Sequence, residues 1–264
     1  MQRDVTRVAL AGIERAGFAL SGSGAIREHG IINRPTEDVD LFTTVEHSSQ
    51  FGGAVEQVAS DLRQHGFAVE QVRKATVFAR LEVTDATGLQ TDVDLGVDWR
   101  AEDPVALAVG PVLSLPDSIG NKVSALYGRG EARDFLDVDA IRASGRISDE
   151  ALLADMAERD PGFDVEAFAQ QLRRVEQIQP AQVVRYGVTP TELRRVASRL
   201  CAWATQLTGS PEEPAEDRGR SAQELARRSF PRSADSHRTD DRSPEPPRGP
   251  NDVRRPRSRQ DPGR

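Results

Sequence analysis

Two aspartates in a strand-like segment form the clearest chemical pattern of the sequence. Asp38 and Asp40 lie two residues apart, so strand alternation places both carboxylates on one face of a sheet. Two carboxylates on one face repel each other unless a cation lies between them. Mg²⁺ prefers carboxylate oxygens together with substrate phosphates, and a pair of such ions stabilises in-line phosphoryl or nucleotidyl transfer. The segment therefore predicts a magnesium site, although a lone Asp-x-Asp is also typical of surface and turn acids.

A third carboxylate from a neighbouring strand would complete such a site, and the segment around residue 93 offers two. Val93 and Leu95 are apolar, so Asp92 and Asp94 share the opposite face of the predicted strand. We favour Asp94, because it lies mid-strand whereas Asp92 lies near a turn.

Further residues have the chemistry to contact phosphate. Gly22-Ser23 follows a short strand and precedes a helix, which would present backbone N–H groups and a hydroxyl. A tight turn with an N-cap serine has the same pattern. Lys122 lies in a predicted helix and is either a phosphate ligand or a solvated lysine. Asp134 begins the next helix, where an acid also complements the helix dipole.

Hydrophobic periodicity indicates the elements that would position these residues. The predicted fold class is α/β (α+β), a mixed sheet flanked by helices, and the last two of its strands form a hairpin around residues 86–88. Strands are predicted over residues 18–20, 38–42, 67–72, 77–83 and 89–97. Helices are predicted over residues 4–16, 25–29, 53–65, 115–127, 132–144, 148–159, 163–178 and 189–207.

The pattern along the chain predicts three regions: a core over residues 1–146, a helical subdomain over 147–208 and a disordered tail over 209–264. The tail is rich in Pro, Arg, Ser, Asp and Glu, so it lacks the apolar surface that would offset its ordering entropy. Within it, residues 222–230 form a brief helix in this prediction.

Composition narrows the class of protein further. The net charge is −7, which argues against broad, salt-driven nucleic-acid affinity. The single cysteine, Cys201, favours a reducing, cytoplasmic compartment. The four histidines have no zinc-site spacing, and we expect neither a signal sequence nor a membrane span.

These motifs together resemble a known family. Gly22-Ser23 followed by Arg34-Pro35-Thr36-Glu37-Asp38-Val39-Asp40-Leu41-Phe42 is similar to the opening signature of the AbiEii/AbiGii nucleotidyltransferase toxins of type IV toxin–antitoxin systems, in the DNA polymerase β-like superfamily. Two later segments, 121–129 with Lys122 and 133–137 with Asp134, resemble the family's lysine helix and its Arg/Lys-Asp-x-x-Asp element. The resemblance covers roughly residues 5–205. Ser23 stands where many members have a second glycine, and the 24–37 linker is longer than in minimal antibiotic-modifying enzymes.

The resemblance implies a role for each matching position. Residues for two Mg²⁺ ions would be Asp38, Asp40 and Asp94. Residues for the nucleoside triphosphate would be Gly22, Ser23, Arg34, Thr36 and Lys122. Catalytic residues would be Asp94, as base for the incoming hydroxyl, with Lys122 and Asp134.

The family further implies transfer of a nucleotide to RNA, at the 3′ end of tRNA in some members, and a cognate antitoxin protein as partner. The alternatives are the same chemistry on a small hydroxylated molecule such as an aminoglycoside, a non-catalytic nucleotide-binding module, and a transferase without toxicity. A local basic rim would favour RNA, and its candidates are Arg27, Arg73, Lys74, Arg80, Arg129 and Arg133.

Overall fold

A computed structural model describes residues 1–209, which form a seven-stranded mixed sheet with helices packed around it. The strands are β1 (Ala19–Leu20), β2 (Asp38–Thr43), β3 (Ala68–Lys74), β4 (Phe78–Thr84), β5 (Gln90–Val97), β6 (Val105–Leu107) and β7 (Gly110–Val112). Their order across the sheet is β3-β4-β5-β2-β1-β7-β6.

Nine α-helices are formed within residues 1–209. They are α1 (Gln2–Gly12), α2 (Gly22–Glu28), α3 (Phe51–Gln64), α4 (Leu115–Gly128), α5 (Ala132–Ala143), α6 (Asp149–Arg159), α7 (Val165–Arg173), α8 (Pro180–Val183) and α9 (Pro190–Thr208). None of these helices combines the length and the apolar composition that a membrane crossing needs.

The centre of the sheet is the parallel pair β2 and β5. The pair β4 and β5 is antiparallel and forms the predicted hairpin, and β3 extends it on the outer side. β1 pairs antiparallel with β2 and parallel with β7. The predicted fold class, a mixed sheet flanked by helices, is therefore confirmed.

Two clusters of buried apolar side chains hold the elements together. One lies between the sheet and helices α1 and α3, and Leu41, Leu62 and Leu81 are fully buried in it. The other joins α4 and α5 to the helices that follow, around Phe168 and Trp203, whose rings meet edge-on with centroids 5.3 Å apart. The predicted division of the chain into a core over residues 1–146 and a helical subdomain over 147–208 stays a prediction.

Local capping sets the start of the helix that carries Lys122. The Ser114 hydroxyl accepts the backbone N–H of Asp117 at 3.1 Å, and Pro116 occupies the first turn of α4, where no backbone N–H is needed. α9 begins with a capping box in which Thr189 and Glu192 exchange hydrogen bonds.

Several elements differ from the predicted ones. α2 begins at Gly22 and not at residue 25, so the Gly-Ser pair lies in its first turn. The short hairpin β6–β7 and the four-residue helix α8 were not predicted, because so few residues carry no periodic signal. The predicted disordered tail, with its helix over 222–230, lies beyond residue 209 and so outside the described residues.

Candidate active site

The predicted acids meet where β2 and β5 run side by side. Asp40 is in register with Asp94, and Asp38 is in register with Asp92. In β2, Val39 is buried on the core side while Asp38 and Asp40 are half-buried on the other. The sheet therefore brings three of these carboxylates, those of residues 38, 40 and 94, to one cavity.

Asp40 is the most strongly perturbed of these acids. Burial is the largest of the effects that raise the pKa of Asp40 to about 7; the neighbouring charges of Asp38 and Asp94 also raise it, and Lys122 opposes them. Gly22 has a positive φ of 60°, and a Cβ at that position would overlap the Asp40 carboxylate. A glycine is therefore required there for both its backbone angle and its small size.

Arg80 is paired with Asp94 in this structure. The two residues are directly opposite each other in β4 and β5, and Arg80 donates from Nε and Nη2 to the two carboxylate oxygens at 2.6 Å each. These hydrogen bonds raise the pKa of Arg80 above its already high ordinary value. Sequence reasoning placed Arg80 only among the rim candidates, although the predicted hairpin implied a partner opposite Asp94.

A buried ionic cluster lies beside the carboxylates and is centred on Asp137. Arg34 donates to both of its oxygens at 2.8 Å, and the Lys122 ammonium lies 2.9 Å from Oδ2. The Ser23 hydroxyl accepts from Lys122 at 2.7 Å and from Arg34 at 3.0 Å, and donates to Asp137 at 3.0 Å. One carboxylate and two cations leave a net positive charge next to Gly22.

Asp137 ends the motif over residues 133–137, but the sequence analysis assigned it no role. It is fully buried on α5, three positions after Asp134. A buried aspartate in a helix interior needs charged partners, but its burial follows from tertiary packing and is not evident in the sequence.

The cavity that joins these groups has a volume of about 700 Å³, within the range of ligand sites. Its charged lining consists of Asp38, Asp40, Asp94, Asp98, Arg80, Lys122, Arg129, Arg133 and Arg159. Its other lining residues are Ser21, Gly22, Ser23, Phe42, Trp99, Asn121, Ser124 and Ala125.

Three predicted site residues do not line this cavity. Arg34 acts on it through Asp137 and Ser23, and its guanidinium also lies 4.8 Å from the centre of the Tyr186 ring. The Thr36 hydroxyl bonds to Gln2 at 2.5 Å, so it ties the segment before β2 to α1.

Asp134 is the third of these residues, and it caps α5. Its fully buried carboxylate accepts the Glu131 backbone N–H at 3.1 Å and both donors of Arg129 at 3.0 and 3.1 Å. This is the helix-start role that its position alone also indicated, and its catalytic role stays a prediction.

The three carboxylates of the cavity are suitable ligands for a hard divalent cation. Repulsion among Asp38, Asp40 and Asp94 is the feature that such a cation would relieve, and carboxylate oxygens are its preferred ligands. Within residues 1–209, however, no three ligand side chains converge on a single point. Both oxygens of Asp94, the third acid, accept hydrogen bonds from Arg80.

The sheet topology and the clustered acids define the class of protein, a polymerase β-like nucleotidyltransferase fold. Two solved structures share this fold at low sequence identity. One is the nucleotidyltransferase toxin MenT4 of Mycobacterium tuberculosis (14% identity, TM-score 0.50, covering 85% of this chain and 91% of that one). The other is a candidate nucleotidyltransferase from Helicobacter pylori (15% identity, TM-score 0.50, covering 78% and 92%).

The family follows from the sequence itself. The family model described as "Nucleotidyl transferase AbiEii toxin, Type IV TA system" matches residues 6–241. The chain therefore belongs to the AbiEii family of nucleotidyltransferase toxins, as the motifs indicated. A comparison with curated proteins gave no significant match.

Proposed function

We propose that this protein transfers a nucleoside monophosphate from a nucleoside triphosphate to a hydroxyl group of RNA, at the 3′ end of tRNA, with two Mg²⁺ ions, and that a cognate antitoxin protein opposes it. One observation carries the proposal. The register that pairs Asp40 with Asp94 places three carboxylates in the same cavity as Ser23 and Lys122.

Each group has a role in this proposal. Asp38, Asp40 and Asp94 would hold the metal ions, with Arg80 releasing Asp94. Bound magnesium would neutralise negative charge on the triphosphate and on the leaving pyrophosphate, and it would activate the acceptor hydroxyl.

The phosphate-binding side of the cavity is built by the cluster around Asp137. Lys122 and Ser23 face the cavity, where an ammonium and a hydroxyl would bind and orient the triphosphate. Arg34 and Asp137 keep both groups in position from behind. Pre-organisation of this kind reduces the reordering that the transition state would otherwise require.

The proposed reaction is a displacement at the α-phosphorus of the nucleoside triphosphate. The acceptor oxygen bonds to the α-phosphorus, and the bond from that phosphorus to the bridging oxygen of the β-phosphate breaks. Pyrophosphate leaves, and the proton of the acceptor hydroxyl passes to the Asp94 carboxylate.

Two arginines on the cavity lining are the groups that would contact a polyanionic acceptor such as RNA. They are Arg129 and Arg133, and Arg133 sits 3.5 Å from Asp38. Both arginines are paired with acids, Arg129 with Asp134 and Arg133 with Glu37 and Glu131, so RNA phosphates would have to compete with these carboxylates.

A direct assay tests both donor and acceptor. The protein is incubated with Mg²⁺, each α-labelled nucleoside triphosphate in turn, and total tRNA. We expect label in RNA with the wild type and none with the isosteric Asp38→Asn/Asp40→Asn double variant. Label in an added aminoglycoside but not in RNA would overturn the acceptor, and no label in either would overturn the transfer chemistry.

A further inference from the structure

Trp99 is an exposed aromatic side chain inside the candidate active site. It lies in the loop that follows β5, it lines the cavity with the carboxylates, and 59% of its surface is accessible. Large exposed aromatic side chains beside a polar site are typical of ligand contacts.

The loop that carries Trp99 is held in place by hydrogen bonds on both sides. Before it, the Asp98 backbone N–H donates to the Thr43 carbonyl at 2.8 Å. After it, the buried Asp117 carboxylate accepts the backbone N–H groups of Ala101 and Glu102, each at 3.0 Å. The exposure of Trp99 is therefore a property of an anchored loop.

Arg159 supports the ring from within the protein. Its guanidinium lies 5.3 Å from the centre of the Trp99 ring and is itself fixed by Asp117 at 2.9 Å and Asp155 at 2.7 Å. It crosses α4 at Gly120, where any Cβ would overlap the guanidinium. Glycine is disfavoured within helices, and this close approach gives its presence here a physical reason.

We propose that Trp99 stacks on the base of the nucleoside triphosphate, as a binding residue of the proposed transfer reaction on which this inference rests. The phosphate-binding Ser23 and Lys122 line the same cavity, so a base joined to those phosphates remains within it. Stacking tolerates any base because each has a π-face, and it contributes about tenfold in affinity.

The test compares ligands with and without a base. Binding of each nucleoside triphosphate and of inorganic tripolyphosphate is measured by calorimetry, with Mg²⁺ and without acceptor, for the wild type, Trp99→Ala and Trp99→Phe. We expect Trp99→Ala to weaken the binding of nucleoside triphosphates about tenfold, and Trp99→Phe to weaken it by less than about threefold. Tripolyphosphate binding should not change. Leu89→Ala, at another exposed apolar side chain, serves as the matched control and should bind as the wild type does.

Fluorescence supplies a readout that a structural role would not move. The sequence has two tryptophans, and Trp203 is buried, so a stacked base should quench the wild type and leave Trp99→Phe unquenched. Unchanged nucleotide binding by Trp99→Ala, or an equal loss of tripolyphosphate binding, would overturn this inference while leaving the transfer proposal intact. A wild type that binds neither ligand would overturn both.

Discussion

Arg80 and Asp94 lie directly opposite each other in β4 and β5, and the guanidinium donates to both carboxylate oxygens at 2.6 Å. Asp94 is also the third acid of the proposed metal site. Arg80 and a divalent cation would therefore compete for the same oxygens, and metal binding would depend on a residue that is not itself a ligand.

Removing that competitor should tighten metal binding. In Arg80→Ala, Asp94 is left free beside Asp40, so the local negative charge increases. We expect the dissociation constant for Mn²⁺, measured by electron paramagnetic resonance, to fall by about tenfold, allowing for solvent screening of a partly exposed arginine.

A matched control removes the same charge elsewhere. Arg63 lies on α3 and donates to the Val69 carbonyl, so Arg63→Ala should leave the Mn²⁺ affinity unchanged. Equal affinity in Arg80→Ala and the wild type would show that Asp94 does not bind the cation.

The two acids of β5 should differ in their effect on activity. Asp94 lines the cavity, whereas Asp92, two residues earlier in β5, does not. The Asp92 carboxylate lies 3.3 Å from the Arg80 guanidinium. We expect Asp94→Asn to lower the transfer rate by about 10²-fold or more, since it removes a metal ligand and the proton acceptor. Asp92→Asn should retain most of the rate in the same assay, and the reverse order would mean that the third acid is Asp92.

Asp137 should matter for stability as well as for binding. Its replacement by Asn leaves the buried cations of Lys122 and Arg34 without their carboxylate. We expect a loss of about 3–5 kcal/mol in the free energy of unfolding by urea. Asp149→Asn breaks a more exposed pair with Arg142 and should cost about 1 kcal/mol or less. Equal losses would contradict a structural role for the cluster.

Asp117 should contribute stability that depends on pH. Burial alone raises its pKa, but hydrogen bonds from Ala101, Glu102, Arg159 and Ser114 outweigh burial and hold the pKa below its ordinary value of 3.8. The folded form therefore binds this proton less readily than the unfolded form. The contribution of Asp117 to the free energy of unfolding is therefore fully present above pH 3.8, and it is lost as the pH falls through the lower pKa of the folded state.

The matching measurement is the difference in unfolding free energy between the wild type and Asp117→Asn. We expect this difference to be constant from pH 7 to about pH 5 and to shrink below pH 4, following the shift just described. A difference that stays constant down to pH 3 would show that this carboxylate does not titrate as its contacts imply.

Much of the fold could be predicted because its signals are local. Alternation around Val39 placed Asp38 and Asp40 on one face, and the hairpin of β4 and β5 followed from two strand patterns and a short turn. The parallel pairing of β2 with β5 could not be predicted, because nothing in either strand specifies a partner about 50 residues away.

The candidate site residues were also predicted from local signals, and their roles stay predictions. Residue type and motif pointed to Ser23 and Lys122, but the carboxylate that joins them, Asp137, is one of several acids on α5. Distinguishing it from Asp134, which caps the helix, requires knowing which side of α5 is buried against α2 and α4. That information lies in tertiary packing.

In the proposed reaction, a nucleoside triphosphate is cleaved between the α- and β-phosphates and the nucleotide is transferred to an acceptor. The most direct test gives the protein α-labelled and, separately, γ-labelled nucleoside triphosphate with Mg²⁺ and a heat-inactivated total cell extract, so that no acceptor is assumed and no other enzyme is active. We expect the α-label on an acceptor and the γ-label in pyrophosphate, and we expect both products to be lost in Asp38→Asn/Asp40→Asn. Transfer of the γ-label to an acceptor, or its release as inorganic phosphate, would contradict the proposed reaction.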